Sequence, residues 1–412
     1  MNLILRNARL HNGATVDIGI DDGAITAVAP RLDASAAREL DANGRLTLPA
    51  FVNGQLHACK SFWRRLLSTL PPDVQALPRF DAAAHVKRLY TADDVFARVD
   101  EAMRLAIQHG TCAIRLFGDV DEDAGLSAIE ALLRIRQKYT PLMTVQVVAF
   151  PQDGVLNDAT RGLMREALRA GADVVGGIPW IEPTAELQRQ HTDMCFALAT
   201  EFDRDLHFVC DDVIDPAVRS LEYVARQSLA HGWQGRVCAT QCAALAAYPD
   251  AYAAQMIELL RNAGITVFCN SHVALIATGF APQQPWPRGI TRVRELLDAG
   301  VPVVCAQDDI DNWFYAFGRN DLLEVAQFMA HTGQFAWDGE VDRVLPLVTS
   351  APARVLGLAD YGLRVGAPAN LVVLDATGWH EAIQFQVDKR YVILRGRLVA
   401  QTQRQSELFI EP

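Results

Sequence analysis

The sequence predicts an α/β fold: a parallel (β/α)8 TIM-type barrel with a small β-sandwich-like domain formed from both termini. Three observations carry that prediction. Eight short apolar runs recur through the middle of the chain, amphipathic stretches at helical spacing separate them, and both ends show a different, hairpin-rich pattern.

The runs are LTLPAFVNGQLH (46–57), TCAIRLF (111–117), TVQVVAF (144–150), DVVGGIP (173–179), DLHFVC (205–210), RVCATQ (236–241), TVFCN (266–270) and VPVVCAQDD (301–309). Strands this continuously apolar suit a parallel sheet covered by helices. The intervening stretches include DDVFARVDEAMRLAIQHG (93–110), GLSAIEALLRIRQKY (125–139), GLMREALRAGA (162–172), DMCFALATEFDR (193–204), AYAAQMIELLRNAG (251–264) and ITRVRELLDAG (290–300). Each puts apolar residues on one helical face and ends near Gly or a polar turn. A doubly wound sheet would carry a glycine-rich phosphate turn after its first strand, and this chain has none there.

The chain ends differ. NLILRNARL, TVDIGIDDGAITAVA and GRLTL near the start are joined by NG and DDG turns, and ANLVVLDA and KRYVILRGRLVA repeat the style near the end. The expected organisation is a composite β-domain from residues 1–48 plus 355–412, with a barrel over 49–354.

Composition narrows the function classes. The 412 residues are 50% hydrophobic and 21% charged with a net charge of −11, and Lys and Arg are scattered with never more than two in a row, so nucleic acid is not an expected partner. No stretch approaches the ~20 apolar residues of a spanning helix, so a membrane is not expected either, and the chain reads as cytoplasmic. The eight cysteines form no CxxC pair and read as reduced, small core residues.

In such a barrel, chemistry sits at the C-terminal strand ends and the loops after them. This selects Gln55 and His57, Arg115, Gln152, Trp180, Val209 to Asp212, Gln241, His272, and Gln307 to Asp309.

The motifs AFPQDGVL (149–156), GADVVGGIPWIEPT (171–184), RGITRVRELLDAG (288–300), QDDIDNWFYAFG (307–318) and VGAPANLVVLDA (365–376) resemble the amidohydrolase superfamily, within it the cytosine-deaminase subgroup, over nearly the whole chain. The resemblance implies hydrolysis of a C–N bond by water activated on a divalent cation. It also implies a ligand set: an HxH on strand one, a His on strand five, an Asp on strand eight, and a further His on strand six beside the reacting centre. Here those positions hold Gln55 and His57, Val209, Asp308 and Gln241, so only His57 and Asp308 remain as metal ligands. A valine has no lone pair, and an amide oxygen is a weak ligand for zinc or iron beside imidazole.

The rest of the site follows the resemblance more closely. Gln152 matches the glutamine that binds a pyrimidine amide edge, Asp212 falls where a proton-shuttling Glu stands, Asp309 matches the second carboxylate after strand eight, and Phe314 replaces a substrate-packing Trp. Trp180 and Gln241 change the pocket's polarity and volume. His207, two residues before Val209, faces the barrel interior about 6 to 7 Å deeper. Cys59, Cys210 and Cys242 stand near the mouth as thiols or as space fillers. His272 enters the pocket or is an ordinary loop histidine; Lys60 neutralises Asp308 and Asp309 or is solvated.

Three functions follow. The first is a cytosine deaminase-like protein acting on a C–N bond of a small cyclic nitrogen compound without the standard metal, using Asp308, Asp309, Asp212 and His57 for acid–base work. The second is a non-catalytic homologue that binds a pyrimidine-like ligand. The third is a metallohydrolase holding zinc or iron through His57, Asp308 and substitutes such as His272 or a cysteine. No cofactor is otherwise expected, and a homo-oligomer is.

Overall fold

The computed structural model describes residues 1–410 apart from 78, 279–288 and 338, and the side chains of 79 and 80 are also outside it. Arg288, which opens the RGITRVRELLDAG motif, therefore lies outside the described residues.

Eight parallel strands pair in chain order: β1 (Phe51–Leu56), β2 (Thr111–Asp119), β3 (Thr144–Phe150), β4 (Val174–Gly177), β5 (Asp205–Cys210), β6 (Val237–Gln241), β7 (Thr266–Phe268) and β8 (Val303–Val304). Helices cover the sheet, which buries every residue of β1 and β2. Local chemistry sets the helix ends: the Asn157 side chain accepts from Thr160 N–H at the start of helix Asp158–Ala170, and Gly171 ends it with φ of 116°. Helices Ser220–Ala230 and Leu322–Thr332 were not anticipated from the sequence.

Two of the eight runs differ from expectation. The run over 46–57 is two strands: Thr47–Pro49 pairs with Leu371–Leu374 in the terminal β-structure, and only Phe51 onward enters the barrel. Ala50 N–H bonds to Asn370 O while Phe51 N–H bonds to Gly110 O, so the chain changes sheets across one peptide.

The run over 301–309 is regular only at Val303–Val304. Beyond it, Ala306 N–H donates to Asn270 Oδ1 at 2.9 Å and Gln307 N–H to Asn53 Oδ1 at 3.1 Å, so side-chain amides replace the ladder. The barrel closes through one parallel bridge between Leu56 and Asp308, with His57 N–H to Asp308 O at 2.7 Å and Asp308 N–H to Gln55 O at 2.9 Å. Beside the seam β1 carries a glycine, and a Cβ on Gly54 would lie 2.6 Å from the Phe268 ring at the end of β7.

The chain ends form two four-stranded sheets. One holds Leu3–Arg9, Thr15–Asp21, Ala24–Ala29 and Arg38–Asp41; the other holds Thr47–Pro49, Leu371–Leu374, Lys389–Leu394 and Arg397–Gln401. Leu5, Ile18 and Ile20 of the first share an apolar core with Leu371, Val373 and Ile393 of the second, which makes the sandwich-like unit.

Candidate active site

One cavity, partly open to solvent, lies at the C-terminal ends of the barrel strands. Ten residues singled out in the sequence line it: Gln55, His57, Lys60, Gln152, Trp180, Asp212, Gln241, Asp308, Asp309 and Phe314. Val209 lines it too, in the place where the resemblance implies an imidazole.

His272 does not line the cavity. It begins a short helix, Ser271–Ala277, that turns its ring away: Nε2 meets Gln307 O at 2.9 Å and the ring packs edge-on against Tyr315. Val273 borders the cavity instead. None of the cysteines lines it, and all eight are buried and free. Burial pushes the Cys59 thiol up to about 12 and the Cys210 and Cys242 thiols well above the usual range, so none is a ready nucleophile.

Asp308 is the hub. Gln55 Nε2 donates to its Oδ1 at 2.8 Å and Gln241 Nε2 to its Oδ2 at 2.6 Å. Gln241 and Asp308 both take left-handed backbone, with φ of 68° and 66°, a conformation costing about 1–3 kcal/mol per residue and held here by these contacts. Burial first, then the Asp309 and Asp212 charges, push the Asp308 carboxyl well up, while two amide donors favour its ionised form.

A polar chain from the barrel interior reaches Gln55. Arg115, expected at the mouth, instead lies fully beneath the cavity, where Nε and Nη2 donate to Gln146 Oε1 at 3.0 and 2.9 Å. Arg115 Nη1 contacts His207 Nδ1 at 3.3 Å, and His207 Nε2 contacts Thr240 Oγ1 at 2.7 Å. Arginine only donates, so Nδ1 of the neutral ring accepts and Nε2 carries the hydrogen. Burial and Arg115 hold His207 well below the usual histidine range, consistent with that neutral ring. Thr240 Oγ1 then donates to Gln55 Oε1 at 2.6 Å.

Lys60 is buried, not solvated. It forms an ion pair with Asp119 at 3.1 Å, contacts His57 Nδ1 at 3.3 Å and donates to Gln152 Oε1. Burial alone would lower its pKa; the neighbouring carboxylates, Asp119 before Asp309, outweigh that and raise it. Its direct carboxylate partner is Asp119, at the end of β2 and two residues past the predicted run, rather than Asp308 or Asp309. Because Lys60 only donates, neutral His57 accepts at Nδ1, and its Nε2–H then faces Asp308 Oδ1 at 3.5 Å with the Gln55 amide, a second donor, 3.3 Å away. Burial, then Lys60 and His207, keep His57 well below the usual range.

The opposite wall is less satisfied. Asp212 Oδ1, Gln241 Oε1 and Trp180 Nε1 are buried without a hydrogen-bond partner. Burial and then Asp309 push Asp212 up to about 7. Burial pushes Asp309 up to about 6 against Lys60 and a 2.5 Å bond from Asn312.

A cation between His57 and Asp308, the ligand pair left by the resemblance, does not fit these donors. Gln55 Nε2, itself an N–H donor, stands 3.3 Å from His57 Nε2 and 2.8 Å from Asp308 Oδ1. Gln241 Nε2 takes the other oxygen. Among the described residues no three His, Cys, Asp or Glu side chains converge as a metal site.

This barrel, with carboxyls gathered where its last strand meets its first, has the build of an amidohydrolase. The family model "Amidohydrolase family" matches residues 73–400, and the chain belongs to that family. The chain is similar to N-isopropylammelide isopropyl amidohydrolase of Pseudomonas sp. (strain ADP), 31% identical over 97% of each chain. It is also 30% identical to pterin deaminase of Rhizobium rhizogenes, over 93% of this chain and 87% of that one. Among solved structures, 5-methylcytosine deaminase from Klebsiella pneumoniae liganded with 5-fluorocytosine superposes with a TM-score of 0.91 at 30% identity, covering 98% and 99% of the two chains. No helix among the described residues is long and apolar enough to cross a membrane.

Proposed function

We propose that this chain hydrolyses a C–N bond of a small, planar, amide-bearing nitrogen heterocycle through carboxyl acid–base chemistry, without a tightly held metal. The observation carrying this reading is the gathering of Asp212, Asp308 and Asp309 on one cavity, each with its pKa raised, in a barrel of this family. Relatives named for isopropylammelide, pterin and 5-methylcytosine support the substrate class.

In this reading the ring lies beside Phe314, and Gln152, its Oε1 taken by Lys60, offers its amide N–H to a ring carbonyl. Asp308, kept ionised by the Gln55 and Gln241 amide donors against the burial that raises its pKa, accepts a proton from water as the water oxygen bonds to the ring carbon. Asp212, protonated near neutral pH, gives a proton to the departing nitrogen as the C–N bond breaks. Asp309 passes the proton from Asp308 back to Asp212. His57, Gln55 and Lys60 orient these groups, and Gln241 and Trp180 face the substrate.

Amine or ammonia release from cytosine, 5-methylcytosine, pterin and N-isopropylammelide, assayed before and after chelator treatment with elemental analysis of the protein, tests it. Release by metal-free protein is the expected result. About one firmly held metal per chain, or binding of these compounds without release, overturns it.

A further inference from the structure

Gln241 borders the cavity and is the one glutamine at Asp308 with an unpartnered end. Its orientation follows from a chain of fixed donors and acceptors. Ala306 N–H takes Asn270 Oδ1, so Asn270 Nδ2 points to Gln55 Oε1 at 3.3 Å. Thr240 donates to the same oxygen. Rotating the Gln55 amide would set its Nε2 against Asn270 Nδ2, donor to donor, and its Oε1 against Asp308 Oδ1, acceptor to acceptor, so its Nε2 stays on Asp308 Oδ1. The remaining oxygen of the carboxylate then calls for a second N–H, which Gln241 Nε2 supplies. Gln241 Oε1 is left as an acceptor in a residue only 6% exposed.

We propose that Gln241 Oε1 is a specificity-determining contact that requires an N–H donor on the bound heterocycle, so that rings fully substituted at nitrogen are rejected. The inference rests on the heterocycle-hydrolase reading and deepens it by naming what the ligand must carry. A buried acceptor that meets an N–H is satisfied; one that meets a methyl group keeps its full desolvation cost.

The test is calorimetric binding of uracil, cytosine, 1-methyluracil, 3-methyluracil and 1,3-dimethyluracil to the intact chain, with Gln241→Met and Trp180→Phe beside it. In the unaltered protein, 1,3-dimethyluracil is expected to bind about 100-fold more weakly than uracil. Gln241→Met is expected to narrow that ratio to within about threefold by weakening uracil, while Trp180→Phe preserves it. Equal binding of uracil and its dimethyl form overturns the proposal, as does a ratio that survives in Gln241→Met, which marks steric exclusion. Failure of every N–H-bearing ring to bind overturns it too. The two readings separate cleanly: discrimination without amine release overturns hydrolysis and leaves the Gln241 contact, and release without discrimination does the reverse.

Discussion

The two walls of the cavity are built on opposite terms. On one, Gln55, His57, Lys60 and Asp308 spend their hydrogen-bonding capacity on one another and on Asp119, Gln152 and Thr240. On the other, Asp212, Gln241 and Trp180 each keep a buried polar atom without a partner. A group that is already satisfied gains little from a ligand, whereas an unsatisfied one gains most of a hydrogen bond. In the proposed reaction the first wall holds geometry and the second meets the substrate.

Breaking the satisfied wall has the largest expected effect. Asp308→Asn puts an amide N–H against one of two amide donors, and we expect C–N hydrolysis to fall about 1,000-fold, read as initial rate of amine release. Lys60→Met removes the ammonium group paired with the buried Asp119 and leaves Lys87 as its remaining cationic neighbour, which is expected to cost about 3 kcal/mol, read as a lower urea midpoint. A loss under about 1 kcal/mol would mean that Asp119 takes up a proton and the pair is not ionic.

The open wall should respond in function more than in stability. Asp212 has a folded-state pKa raised to about 7, above its unfolded value of about 4, so the folded state holds the proton more tightly. Its contribution to stability therefore falls as pH rises from about 4 to about 7. Asp212→Asn should flatten that part of a stability–pH curve and remove the alkaline limb near pH 7 from the rate profile. A limb that persists would assign the acid to another group. Smallest of all, Trp180→Phe should weaken ligand binding about tenfold while shifting unfolding free energy by less than about 0.5 kcal/mol.

The same division explains what could be read from the sequence. The eight strands and the sandwich were legible because burial writes a continuous apolar pattern. Gln55, His57, Gln241 and Asp308 were legible by their positions at strand ends. The seam was not, because Asn53 and Asn270 replace backbone pairing with side-chain bonds between residues more than 30 positions apart. Asp119 was missed because β2 runs two residues beyond its apolar stretch, and an acid ending a buried strand is the signal that could have found it. His272 was misplaced because one turn of helix, invisible in that short stretch, rotates its ring toward Gln307 O.

The single bridge between Leu56 and Asp308 also sets when the site comes into being. Gln55 and Asp308 stand 253 residues apart in the chain, so their bond is among the contacts with the greatest loop-closure entropy. Until the barrel closes, Gln55 and His57 are not held against Asp308. A ligand that bound only the closed barrel would stabilise it by mass action.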